Sequence, residues 1–137
     1  MNKSKVKGTT HESNLVKWLQ ANGFPDARRE VLHGAKDVGD IGGVKWRGVP
    51  IVIEAKNCRE KRPAKWLEEA EAERKNAGAP IAFVVGKTRG VGEKNFGENE
   101  CYIYLNDLAK LLDLNLEIDG YAKLPLRSIV ELLKKGE

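Results

Sequence analysis

Cysteine is scarce in this chain of 137 residues: Cys58 and Cys101 are the only two, with no C-x-x-C spacing and no histidine cluster beside them. That excludes a disulfide framework and a thiolate zinc site of the usual spacing. Two isolated cysteines read instead as free thiols of a reducing compartment. No apolar run approaches the ~20 residues needed to span a bilayer. The opening stretch MNKSKVKGTT is basic but lacks the apolar core of a signal peptide. These absences lead to the expectation of a soluble, cytoplasmic protein with no membrane partner. Internal repeats and low-complexity segments are absent as well, which excludes a solenoid.

The chain does have enough apolar sequence for one domain with a real core: 41% hydrophobic against 32% charged. Its net charge of +4 is compatible with a nucleic-acid partner but does not establish one. Residues 1–8 are expected to form a flexible basic arm. Thr9 or Thr10 is expected to cap a helix over HESNLVKWLQANGF, where Leu15, Val16 and Leu19 recur at helical spacing. ARREV, IGGVKW and VPIVIEAK read as strands, the last two joined near Arg47-Gly48 as a hairpin. RPAKWLEEAEAERKNAG reads as a helix with Pro63 near its start and Gly78 beyond its end. PIAFVVGK and CYIYL are further strands, and NDLAKLLDL and RSIVELLKK are helices. The order α, β, β, β, α, β, β, α, α gives an α/β (α+β) domain with a mixed central sheet flanked by helices. Residues 106–137 stand as a helical extension to it.

The strand IVIEAK raises a chemical question. Alternate residues share a face, so Val52, Glu54 and Lys56 lie together while Ile51, Ile53 and Ala55 face the other way. An unpaired buried carboxylate costs several kcal/mol. Glu54 is therefore paired, exposed at the strand end, or bound to a cation. Alone, E-x-K is most often a surface ion pair. Two other acids supply context. Glu12 precedes Leu15, Val16 and Leu19 by three, four and seven residues, within the apolar stripe of the first helix. A place in that helix's first turn, favoured by the dipole, is the competing reading. Asp40 opens DIGGV, directly before a strand, and Asp37 competes with it from three residues earlier. Both have an ordinary alternative as turn residues.

Register decides whether Asp40 meets Glu54. A regular two-residue Arg47-Gly48 turn would set Ile41 opposite Glu54 and turn Asp40 to the wrong face. A three-residue loop, or a bulge at Gly42-Gly43, would bring Asp40 onto the face of Glu54 and Lys56. One of the two is expected, and a regular turn counts against Asp40.

The set Glu12, GDI with Asp40, and IEAK with Glu54 and Lys56 resembles the PD-(D/E)xK nuclease superfamily. Within it the chain is most similar to the archaeal-type Holliday junction resolvases, over roughly residues 8–105. The matching pieces are HESNLVKWLQANGF, ARREV, GDIGG, IEAKN, WLEEAEAE and APIAFVVGK. Gly39 stands where the family often has proline before the aspartate. The resemblance implies a restriction-endonuclease-like αβββαβ core and a Mg2+-dependent phosphodiester hydrolase, with Mn2+ as a substitute ion. Asp40, Glu54 and the Ala55 carbonyl would hold the metal, with Glu12 reaching it through a second site or a water. Lys56 would orient or help deprotonate the attacking water, or stabilise charge on phosphorus. DNA, branched as a four-way junction, would be the substrate, and a homodimer would supply two cuts.

Basic clusters flank these acids: Lys3, Lys5 and Lys7; Arg28 and Arg29; Lys36; and Lys87, Arg89 and Lys94. Each alone is more often solvated surface. As a set they could neutralise a DNA backbone, with Arg29 and Arg89 the stronger candidates because their planar forks match a phosphate. Trp18, Trp46 and Trp66 read as core or interface residues.

Overall fold

A computed structural model describes residues 3–30 and 38–136 of the chain. Among the described residues there are eight short strands and four α-helices. They are α1 (Lys3–Ala21), β1 (Arg28–Arg29), β2 (Ile41–Gly42), β3 (Lys45–Trp46), β4 (Val49–Pro50), β5 (Val52–Lys56), α2 (Pro63–Ala77), β6 (Ala82–Gly86), β7 (Glu100–Tyr104), α3 (Leu105–Leu111), β8 (Tyr121–Pro125) and α4 (Leu126–Lys135). Six strands form one sheet in the order β1-β2-β5-β6-β7-β8. Among the described residues only β5 and β6 run parallel; every other neighbouring pair of this sheet is antiparallel. The domain is thus mixed α/β, with a mixed central sheet flanked by helices. No helix among the described residues is long and apolar enough to cross a membrane.

The central strands are covered on both faces, as their unbroken apolar runs require. One face carries Ile53, Phe83, Val85, Cys101 and Ile103, packed against Leu15 and Leu19 of α1 and Ile129 and Leu133 of α4. The other face carries Val52, Ala82, Val84 and Tyr102 under Trp66, Leu67 and Ala70 of α2. Glu54 and Lys56 share the parity of Val52 and so face α2. Trp46 and Trp66 are buried, and Trp18 is half-buried against the first cluster, so all three tryptophans serve packing.

Two expectations differ from the fold. Helix α1 starts at Lys3, inside the stretch expected to be a flexible arm. Once Leu15 and Leu19 are packed, extending a helix costs less than starting one. The lysines and Val6 carry no breaker, and a single Gly8 costs only about 1 kcal/mol. Thr9 and Thr10 are therefore interior residues rather than caps, and Glu12 sits well past the first turn. The segment 106–137 is also not purely helical, because β8 pairs along the whole of β7. Its Pro125 is tolerated because the strand lies at the sheet edge.

The hairpin settles its register in an unexpected combination. Lys45 pairs with Pro50 and Trp46 with Val49, leaving a regular two-residue turn at Arg47 and Gly48, both at positive φ. Yet Ile41 pairs with Ile53, not with Glu54. Ile51 N–H donates to the Val44 carbonyl at 3.1 Å, so Gly42 and Gly43 together oppose Val52 alone. This is the bulge expected at the paired glycines, and it cancels the effect of the regular turn. Gly43 has φ of +80°, and a Cβ there would lie 1.9 Å from the Asp26 carbonyl oxygen. No side chain can occupy that point without moving backbone.

Gly43→Ala is expected to lose about 2–4 kcal/mol of stability, from left-handed backbone strain plus overpacking. Gly48→Asn, at φ +79° with nothing near its Cβ position, is expected to lose less than ~1 kcal/mol. Urea unfolding of both variants checks this, and equal losses would remove the special role given to the bulge.

Candidate active site

The bulge sets Asp40 against the end of β5. Asp40 N–H donates to the Ile53 carbonyl at 3.0 Å, and the Ala55 N–H donates to Asp40 Oδ2 at 2.8 Å. The Asp40 carbonyl accepts from Glu30 N–H at 2.8 Å, which ties the strand on the other side. Asp40 is thus gripped on three sides, and its carboxylate lies within reach of Glu54. Asp37 and Lys36 lie outside the described residues, as do the side chains of Lys3 and Lys5.

Glu54 is 5% exposed and faces α2. There it meets a second buried acid, Glu73, whose carboxyl lies within hydrogen-bond reach. Among the described residues, Glu54 Oε1 finds no hydrogen-bond partner. Burial, then the carboxyls of Glu73 and Asp40, push Glu54 up to about 11. Two bare carboxylate charges at that distance repel, which is why the neighbouring acids add to burial in raising Glu54.

Lys56, two residues on, turns to the same helix and donates from Nζ to Glu69 Oε2 at 3.0 Å. Partial burial works against its charge. The hydrogen bond and charge of Glu69, with Glu54 and Asp40 beyond, outweigh that and hold its pKa above the usual lysine value. Lys56 therefore remains an ammonium at neutral pH.

Glu12 approaches from the opposite face of the sheet. It is half-buried and accepts from Arg29 Nε at 3.1 Å. Burial and the Asp40 charge raise its carboxyl above the usual range, against the pull of Arg29. Glu12 and Glu54 thus both lie in the field of Asp40. Arg29 is held by Glu12, and Arg28 is paired with Glu30 at 3.8 Å. Lys87 donates to the carbonyls of Thr88 and Val91, while Arg89 is exposed on the loop after β6 and Lys94 is exposed on the short 3-10 helix Glu93–Glu98 that follows it.

Two residues escaped the sequence reading. Glu73 follows Trp66 by seven and Ala70 by three, on the buried stripe of α2. The periodicity test applied to Glu12 finds it as well. His11 precedes Leu15 by four and Leu19 by eight and is 2% exposed. Its Nε2–H donates to the Val85 carbonyl at 3.1 Å, pinning α1 to β6. Burial lowers its pKa, so the ring is neutral at pH 7.

The acids fit one hard cation better than a cage of side chains. Among the described residues no three His, Cys, Asp or Glu side chains form a ready metal group. Mg2+ does not need one, since it takes one or two carboxylates and keeps its waters or a phosphate. Asp40 and Glu54 are the pair that could hold it, and the buried, donorless Glu54 Oε1 is the atom such an ion would satisfy.

The raised pKa has a sign that can be tested. Native Glu54 keeps its proton where the unfolded chain has released it, so its contribution to stability is complete below pH ~4.5 and is lost as pH climbs toward 11. Glu54→Gln keeps the shape and removes the titration. In divalent-free buffer it is expected to exceed the wild type in stability by about 2–4 kcal/mol at pH 8, with the gap closing at pH 4.5. Urea midpoints across that range check this; parallel curves would show that Glu54 is not held protonated.

The chain matches no protein-family model and no curated protein sequence.

Proposed function

We propose that this chain is a Mg2+-dependent, structure-selective DNA endonuclease that resolves branched DNA in the manner of a Holliday junction resolvase. One observation carries the reading: a glycine bulge sets Asp40 opposite a buried Glu54 whose neighbour on the same face is an ammonium, Lys56. A domain that only bound DNA would gain nothing from acids placed beside phosphates. On this reading α1, β1, β2, β5, α2 and β6 form a restriction-endonuclease-like core.

Asp40 and Glu54 would hold the ion, with the Ala55 carbonyl as a neutral ligand and Glu12 placed for a second site or a bridging water. When bound, Mg2+ supplies a Lewis acid that polarises a phosphate oxygen and lowers the pKa of a bound water. Lys56 keeps its proton because the hydrogen bond and charge of Glu69 hold it as an ammonium. Its part is to stabilise the negative charge that grows on the phosphate, rather than to take a proton from water. His11 fixes α1 to β6 and with it the position of Glu12. Paired cuts across a junction need two such sites, so the active form is a C2 homodimer.

The test compares a labelled four-way junction with linear duplex and single strand, in Mg2+, Ca2+ and EDTA. Paired nicks on the junction are expected in Mg2+ only. Glu54→Gln and Lys56→Ala are each expected to slow cutting at least ~100-fold while junction binding persists. Equal cutting of linear duplex would favour a restriction-like or nicking enzyme, and binding with no cutting would favour a non-catalytic module. Independently of activity, Mg2+ at ~100 times its Kd is expected to stabilise the wild type by about 2.7 kcal/mol and to leave Glu54→Gln unmoved. Equal stabilisation of both would place the ion elsewhere.

A further inference from the structure

The loops that leave β5 and β6 enclose a cleft of about 580 Å3, and its lining has charge of one sign. Lys7, Arg59, Lys61, Lys87 and Arg89 contribute to it, with no aspartate or glutamate and no aromatic ring. The cleft begins at Asn57, the residue after Lys56, and so adjoins the acidic cluster. One backbone and one side-chain hydrogen bond hold its walls in register. Lys87 N–H donates to the Lys56 carbonyl at 2.8 Å, and Asn57 Nδ2 donates to the Lys7 carbonyl at 3.4 Å. It lies outside the carboxyl ends of the parallel pair β5 and β6, where open α/β sheets commonly receive ligands.

The five cations are not equivalent. Lys61 is engaged by Glu100 at 3.1 Å, and Lys87 by backbone carbonyls. Arg59 and Arg89 are exposed, and among the described residues neither has a hydrogen bond or an ion pair. Fixed lysines set a positive field, and two unengaged guanidinium forks can each take a phosphate in a bidentate grip. The sequence reading counted Lys87 and Arg89 but missed Arg59 and Lys61, which the chain reversal after β5 brings beside them.

We propose that this cleft grips the sugar-phosphate backbone of a nucleic-acid strand next to the cleavage point, through Arg59 and Arg89, without reading its bases. The proposal rests on the nuclease reading for its place beside the cut. Its partner class follows from the lining: a polyanion with regularly spaced phosphates suits a row of cations. The lack of any aromatic platform leaves base stacking without a surface.

Anisotropy of a labelled DNA duplex in EDTA, measured across a salt series, tests it. The variants are Arg59→Ala/Arg89→Ala, the charge-keeping Arg59→Lys/Arg89→Lys, and Lys75→Ala/Lys135→Ala as a control removing two exposed cations outside the cleft. Two lost phosphate contacts are expected to make the slope of log K against log salt shallower by about 1.8. The lysine pair is expected to keep most of that slope, and the control all of it. A second duplex of unrelated sequence is expected to bind within about twofold of the first, as contacts confined to phosphates require.

An unchanged slope in the alanine pair, an equal loss in the control, or no binding by the wild type would each overturn the cleft. A tenfold preference between the duplexes would overturn its indifference to bases. The two readings fail separately. Cutting in Mg2+ with an unaltered slope would remove the cleft and leave the nuclease. The expected slopes with DNA left intact in Mg2+ would do the reverse.

Discussion

Everything at the acidic cluster depends on one residue of strand offset. Between the Ile41–Ile53 pair and the Ile51–Val44 hydrogen bond, one strand spends two residues where its partner spends one. Without that offset, side-chain parity would send Asp40 to the α1 face of the sheet and leave Glu54 with Glu73 alone. Two adjacent glycines permit it. One of them packs against backbone so closely that no other residue fits. The turn at Arg47-Gly48, which looks like the decisive element of the hairpin, is ordinary.

The second constraint is a match between two periods. Along β5, Glu54 and Lys56 are two residues apart, about 6.6 Å. Along α2, Glu69 and Glu73 are four residues apart, about 6 Å. The helix lies over the strand so that Glu69 meets Lys56 and Glu73 meets Glu54. One contact is an ion pair and the other places two acids together. The helix thus neutralises the ammonium and leaves the carboxylate end over-supplied with negative charge. That asymmetry is what makes the end of β5 a place for a cation or a proton, where a matched pair of ion pairs would need neither.

Much of this was legible in the chain. The order of the main helices and strands and the face shared by Val52, Glu54 and Lys56 follow from periodicity, and glycine placement narrows the hairpin to a longer loop or the bulge that is found. The apolar stripe through Leu15 and Leu19 brought Glu12 to attention. Other features were hidden for specific reasons. The lysine-rich opening looks like a loose arm, because a helix extended from a packed turn carries no cap of its own. Strand β8 is short, ends in proline and follows exposed leucines, so its pattern is faint. Arg29 looks like a free contact for phosphate, but its partner Glu12 is 17 residues away, and only the fold brings them together. Glu73 is within reach of the same stripe test, on a helix that carries several other glutamates.

The two cysteines have opposite surroundings. Cys101 is fully buried in the sheet, and burial raises its thiol well above the ordinary value; Cys58 is exposed on the rim of the basic cleft. A maleimide dye would therefore attach to the folded protein at one position without any engineering. On the cleft proposed above, the fluorophore would sit on the path of the bound strand, so its emission would report occupancy directly.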